Sequence, residues 1–379
     1  MHLLLPEFFG DGWLGSKSKH RRQDEASIDI GSVKRRLKSG LLSASRSAIP
    51  DNSRRNRMGL PELKVIAEHA RKDSYPLERI NWSVGIDRSL FFFPENQTPL
   101  FHCPSYSTRL DLEDRRVYNQ LYAQYVSEQF VFLEDCFLCR AVDSLLPWAA
   151  RVSADLRDCL EIFLEEEVKH TEMFRRLLRI CNPERYQKSD YYFLKIKKHE
   201  KAVIQTMSSF PRALNYWIWV ALLFEEKTVD YFAQYRIHQR DPKNGKLDPL
   251  HQQVHQFHMI DEARHVQIDE YLLMYIFDKA PSFSRKLNIA LFSEMMKNYT
   301  NPKRANIDIV EELCALRPNL LPLKEQLKQE VRAQNGDSPY QRAQFSRKTF
   351  PKTFAYFDKN ADLSLKMQKV IPTYQPSAS

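Results

Sequence analysis

His258-Met259-Ile260-Asp261-Glu262-Ala263-Arg264-His265 is the stretch on which the fold turns. Each residue of an α-helix advances by about 100°, so positions i, i+4 and i+7 fall within roughly 40° of one another. His258, Glu262 and His265 therefore share one stripe, with two imidazoles and a carboxylate pointing the same way. Imidazole with carboxylate suits iron, manganese or zinc. Inside a core such a stripe cannot be neutral filler, because an unpaired buried charge costs several kcal/mol. What the rest of the chain sets opposite it decides the matter.

Outward from this stretch, a second Glu-x-x-His occurs at Glu167-Val168-Lys169-His170. One such tetrapeptide carries little, since 11 histidines make an accidental match unsurprising. Placement carries more. The helical pattern before each pair offers a carboxylate on its apolar side: Glu134 within Phe132-Leu133-Glu134-Asp135-Cys136-Phe137-Leu138, and Glu225 within Leu222-Leu223-Phe224-Glu225-Glu226. The order Glu134, Glu167-x-x-His170, Glu225, Glu262-x-x-His265 is the ligand set of ferritin-like di-iron and di-manganese bundles. Two divalent ions bring four positive charges, which four carboxylates neutralise, while one histidine caps each metal and leaves positions for O₂. Asp261 can accept the outer N–H of a ligating histidine, and Arg264 can offset the surrounding negative charge.

Several assignments stay open. Glu225 shares its face with Ile218, Leu222, Val229 and Phe232, but Glu226 has a face nearly as apolar; Glu225 is preferred. His258 would be a third histidine, and its alternative is a core histidine bonded to a carboxylate. His251 and His255 lie on the same stripe, but about 16 and 10 Å along the axis from Glu262, too far to join it. Thr228 reads as packed core more than as a proton donor. Cys136-x-x-Cys139 sits mid-helix with no βαβ context, so it reads as two small core residues. Tyr122, Tyr125, Phe130, Tyr231 and Tyr235 are candidates to line an apolar cavity, though most of them read as ordinary core.

The expected fold is all-α: a ferritin-like helical bundle with additional helices and an irregular N-terminal extension. Helices are expected at Pro61–Lys72, about Glu113–Leu146, Ser153 (as N-cap) to Ile180, Tyr191–Ser208, Pro211–Gln239 and Pro249–Phe277, then near 282–299, 303–316 and 320–333. The expected organisation is a basic, poorly ordered extension over 1–75 with one short helix, a di-iron helical domain over 76–335, and a polar, turn-rich tail over 336–379. Within the domain, 76–107 is proline- and aromatic-rich and reads as an irregular wrap over the core.

Composition agrees. Apolar residues make up 43% of the 379, enough for a large core, and only 9 are glycine, which favours long helices over many strands. No apolar run approaches the roughly 20 residues needed to cross a bilayer, and six scattered cysteines suit free thiols in a cytoplasmic setting. The net charge of +9 is concentrated early, in Lys17/Lys19/Arg21/Arg22, Lys34/Arg35/Arg36/Lys38 and Arg54/Arg55/Arg57. Without interleaved aromatics for base stacking, these clusters read as a solvated tail more than as a nucleic-acid site.

Taken together, Glu134, Glu167-x-x-His170, Glu225 and His258-x-x-x-Glu262-x-x-His265 resemble the AurF-like di-iron N-oxygenases, whose founding type oxidises p-aminobenzoate to p-nitrobenzoate. Tyr118-Asn119-Gln120-Leu121-Tyr122 and Glu128 add to the likeness, which spans about residues 76–300. The resemblance implies two iron ions on these seven residues and O₂ chemistry through a di-ferric peroxo species that the third histidine tunes. It also implies a small-molecule amine, aromatic or amino-acid-like, oxidised to a hydroxylamine, nitroso or nitro product in secondary metabolism. No flavin or nicotinamide fingerprint is visible, so an external electron donor is expected; a homodimer is compatible. The rival readings are a di-iron hydroxylase or desaturase acting on carbon and a non-catalytic iron-binding protein.

Overall fold

The computed structural model describes residues 59–377 apart from 242 and 301–303; the basic clusters of the first 58 residues lie outside the described residues. Among the described residues the chain is helical without a strand, and one isolated bridge joins Phe91 to Leu247.

Four long helices carry the core. Helix α1 (Leu63–Asp73) precedes them. Helix α2 (Leu112–Leu133) runs through a π-turn at Glu134–Leu138 into α3 (Cys139–Val152). The other members are α4 (Ala154–Cys181), then, after the short α5 (Lys198–Ser208), α6 (Tyr216–Arg240) and α7 (Pro249–Leu272), which ends in a second π-turn at Leu273–Phe277. Helices α2, α4, α6 and α7 pack pairwise as a bundle. Outer helices α8 (Ser282–Thr300), α9 (Ala305–Leu316) and α10 (Lys324–Ala333) follow.

Local chemistry explains the boundaries. Asp111 and Asp114 form a reciprocal cap at the start of α2, with N···O distances of 2.8 and 3.2 Å. Ser153 caps α4 as expected, and Asp248 caps α7 ahead of Pro249 at its first position. The first half of helix α6 is fully enclosed: every residue from Tyr216 to Thr228 is buried, Trp217 and Trp219 among them. Each large apolar side chain so buried contributes about 1.5–3 kcal/mol, enough to carry a few unpaired polar groups. The wrap over 76–107 is built of short 3₁₀ turns that lead into a short α-helical turn, Pro104–Thr108, with Phe92 and Phe93 buried. Asn119 of α2 pins it by accepting from the amides of both, at 2.9 and 3.0 Å.

Three expectations need correction. Residues 191–197 are not helical, because the buried Glu128 carboxylate takes the amides of Tyr192, Phe193 and Leu194 at 2.7–3.2 Å and prevents them from joining a helical ladder. Helix α6 opens at Tyr216, not Pro211; Asn288 of α8 accepts from the Tyr216 amide at 2.9 Å and sets the start. The stretch read as a polar tail carries α11 (Pro339–Gln344), α12 (Pro351–Lys359) and α13 (Ala361–Met367). Phe350, Phe354, Phe357, Ile371 and Tyr374 are buried there, against the α6–α8 side. Aromatic spacing inside a polar composition hid that face.

Candidate metal centre

Helices α4 and α7 and the π-turn bring six of the seven expected residues into two overlapping groups: Glu134, His170, His258 and Glu262, and Glu167, Glu262 and His265. All are buried. Glu262 stands in both. Its Oε1 lies 2.6 Å from His258 Nε2 and 3.3 Å from His170 Nδ1, and its Oε2 lies 3.2 Å from His265 Nδ1. Glu134 Oε1 is 3.2 Å from His258 Nε2, and Glu167 Oε1 is 3.1 Å from His265 Nδ1. The π-turn positions Glu134: its additional residue re-aims a helical side chain without breaking the helix, a device common at functional sites.

Glu225 of α6 is buried beside this set but outside both groups. Its neighbour Glu226 is engaged elsewhere, accepting from the Lys352 and Thr353 amides at 2.6 and 2.9 Å at the start of α12. The two candidates thus face different neighbours, about 100° apart around the helix. His251 is tied to Asp248 at 3.0 Å and to Cys181 at 3.5 Å, and His255 is enclosed by Phe93, Tyr235 and Phe174, so neither joins the cluster. The six cysteines are free thiols.

Outside the cluster a crossed network fixes the two Glu-x-x-His histidines. His170 Nε2 lies 2.9 Å from Asp261, and His265 Nε2 lies 2.9 Å from Glu166. Arg264 joins these two carboxylates, at 2.5 Å to Asp261 and 2.7 Å to Glu166, and Lys169 reaches Asp261 at 2.8 Å. Asp261 and Arg264 take the roles expected of them. Glu166 was missed, although its signal is visible: Glu166-Glu167-Val168-Lys169-His170 repeats the acid–Glu–x–base–His order of Asp261-Glu262-Ala263-Arg264-His265, and each acid serves the histidine of the other helix. Asp269, one turn beyond His265, was also missed; it is buried with both carboxylate oxygens unpartnered.

The donor set fits a metal pair. Both carboxylate oxygens of Glu134, Glu167 and Glu225 are buried without a hydrogen-bond partner, as are His170 Nδ1 and both ring nitrogens of His258. Unpaired buried acceptors on this scale are rare in folded proteins and call for a cation. The short His258–carboxylate approaches are not hydrogen-bonded geometries; they mark side chains converging on a common point. Burial, with carboxylate neighbours adding, drives the Glu134 and Glu225 carboxyls well above the ordinary range. Glu262 goes the other way: His258 and His265 outweigh its burial and hold it well below that range.

The model of the AurF family, described as p-aminobenzoate N-oxygenase AurF, matches residues 63–332. The chain belongs to the AurF family. It is accordingly a non-haem di-metal oxygenase. Among solved structures it is similar to two variants of an R2-like ligand-binding oxidase reconstituted with a Mn/Fe cofactor. One was reconstituted aerobically (TM-score 0.40) and the other anaerobically (0.39); both are 17% identical and cover 73% of this chain and 94% of theirs. No curated protein matches the chain. No helix among the described residues is long and apolar enough to cross a membrane.

Proposed function

We propose that this AurF-family chain is an O₂-dependent di-iron N-oxygenase that oxidises the nitrogen of a small amine to a hydroxylamine, nitroso or nitro product. Glu134, His170, His258 and Glu262 would hold one iron, Glu167, Glu262 and His265 the other, with Glu225 the seventh ligand. The metal pair, supplied with electrons by an external donor, would activate O₂ and deliver oxygen to the amine.

The chain's own residues prepare the site. Asp261 and Glu166 keep the proton on Nε2 of His170 and His265, leaving each Nδ1 lone pair for a metal. His258 has no such carboxylate behind it and turns Nε2 inward, so the third histidine adds a neutral donor without adding charge. Four ligand carboxylates balance two divalent ions. Aromatic rings exclude water: Phe163 stacks on His265 at 3.8 Å, and Phe130 and Phe174 stand edge-on to His258 at 4.7 and 4.9 Å. Such exclusion strengthens every electrostatic interaction inside the site.

The observation that carries this reading is the third buried histidine, His258, converging with Glu134 and Glu262 in an otherwise two-histidine plan. The test is a single turnover of chemically reduced, iron-loaded protein with ¹⁸O₂ and a panel of arylamines and amino acids. Heavy oxygen bonded to nitrogen in the product supports the proposal. Oxygen found only on carbon would identify a hydroxylase instead, and iron taken up with no organic product an iron-binding protein.

A further inference from the structure

Two pairs of adjacent acids occur in the bundle, Glu225-Glu226 on α6 and Asp269-Glu270 on α7. In each pair the second member turns to the start of α12. Glu226 accepts from the Lys352 and Thr353 amides, and Glu270 pairs with Lys352 Nζ at 3.1 Å. Lys352 therefore meets both helices at one level. One residue earlier, about 100° around each helix, Glu225 and Asp269 leave that surface. Both are buried, and all four of their carboxylate oxygens lack a hydrogen-bond partner.

The surroundings of Asp269 are those of the metal ligands. Burial pushes the Glu225 carboxyl well above the ordinary range, and among its charged neighbours Asp269 acts most strongly. Burial does the same to Asp269, where His265 opposes the rise and Glu262 and Glu167 add to it. These three neighbours are one of the two ligand groups of the centre. Asp269 also prolongs the ligand stripe of α7. His258, Glu262, His265 and Asp269 occupy positions i, i+4, i+7 and i+11, and eleven residues return the helix to within about 20° of its start. Asp269 stands about 6 Å along the axis beyond His265, at the end remote from His258. A buried carboxylate with no donor is rare in a folded protein and calls for a cation.

Resting on the di-metal centre proposed above, and not on its N-oxygenase activity, we infer that Asp269 is an eighth metal-binding residue. It joins Glu225 on the metal of the Glu167, Glu262 and His265 group, as a fifth carboxylate for a hard cation. The four glutamates already balance two divalent ions. The added negative charge therefore favours the more positive, oxidised pair over the reduced one.

The test replaces Asp269 with asparagine in the full-length chain. Asparagine matches a protonated aspartate in size and charge, so Asp269→Asn changes little about a neutral bystander and much about a ligand. Co²⁺ titration of the metal-free protein, read by visible absorption, should fill two sites in the wild type. Asp269→Asn should weaken the second equivalent at least about tenfold and alter its spectrum. In the iron-loaded protein, a spectroelectrochemical titration should find the reduced form favoured at least about tenfold more in the variant at a fixed potential. The metal-free variant should melt no earlier than the metal-free wild type, because the carboxylate has no partner to lose. Two Co²⁺ bound with unchanged affinities, an unchanged potential, or earlier melting of the metal-free variant would each overturn the assignment. A wild type that does not bind two Co²⁺ removes the metal centre itself, and Asp269 with it. Weakened Co²⁺ binding in the variant beside a wild type that oxidises no amine supports Asp269 and counts only against the activity.

Discussion

Glu225 and Glu226 are adjacent, both buried, and assigned to opposite tasks by what they touch. Glu226 caps a helix through two backbone amides, and burial pushes its carboxyl up to about 7 against those bonds. Glu225 has no partner at all. Glu226→Ala should therefore cost about 1–3 kcal/mol of stability with metal content unchanged, and Glu225→Ala should lower metal content with little loss of stability. Denaturation curves beside metal analysis of both variants check this; the reverse pattern would reassign the ligand. His258→Ala should keep the helical content and alter the optical spectrum that follows O₂ exposure of the reduced protein, measured by stopped flow. An unchanged spectrum would remove His258 from the site. At this scale the Glu-x-x-His pairs and His258 were legible because helical spacing alone aligns them. Glu166 and Asp269 were not, because their roles depend on which helix lies opposite.

At the scale of elements, helix existence was legible and some boundaries were not. The long helices carry apolar periodicity and capping residues, so α2, α4 and α7 lie where the pattern puts them. Residues 191–197 look helical but are held out of the helix by one carboxylate 64 residues away in sequence at its closest partner, Tyr192. No local signal records that. Glu128→Ala would strand three amides, those of Phe193 and Leu194 buried and that of Tyr192 partly so, and the expected loss is about 3–5 kcal/mol of stability, read by urea unfolding. A loss below about 1 kcal/mol would show that the amides find other partners. The π-turn is likewise invisible in the sequence, since one added residue in a helix leaves no compositional trace.

For the whole molecule, the bundle concentrates buried carboxylates whose charge only a cation can balance, and this links metal, protons and stability. In the metal-free protein Glu134 and Glu225 retain protons above their ordinary range, because burial penalises their charged forms. As metal ligands they would have to be ionised. Metal affinity should therefore fall as pH is lowered, and loading at neutral pH should release protons. Calorimetry in two buffers of different ionisation enthalpy measures that release; none detected would contradict the assignment of these carboxyls. The C-terminal helices show the limit of composition at this scale: their aromatic face is legible only once α6 and α8 are there to receive it.

Glu134, Glu167, His170, Glu225, His258, Glu262 and His265 are proposed to hold a pair of metal ions. The most direct test of this is metal analysis of the full chain after anaerobic reconstitution with Fe²⁺, wild type beside Glu262→Ala. Because Glu262 stands in both ligand groups, the expected result is about two irons per wild-type chain and fewer than about one in the variant. No stoichiometric iron in the wild type, or two irons retained by Glu262→Ala, would contradict it.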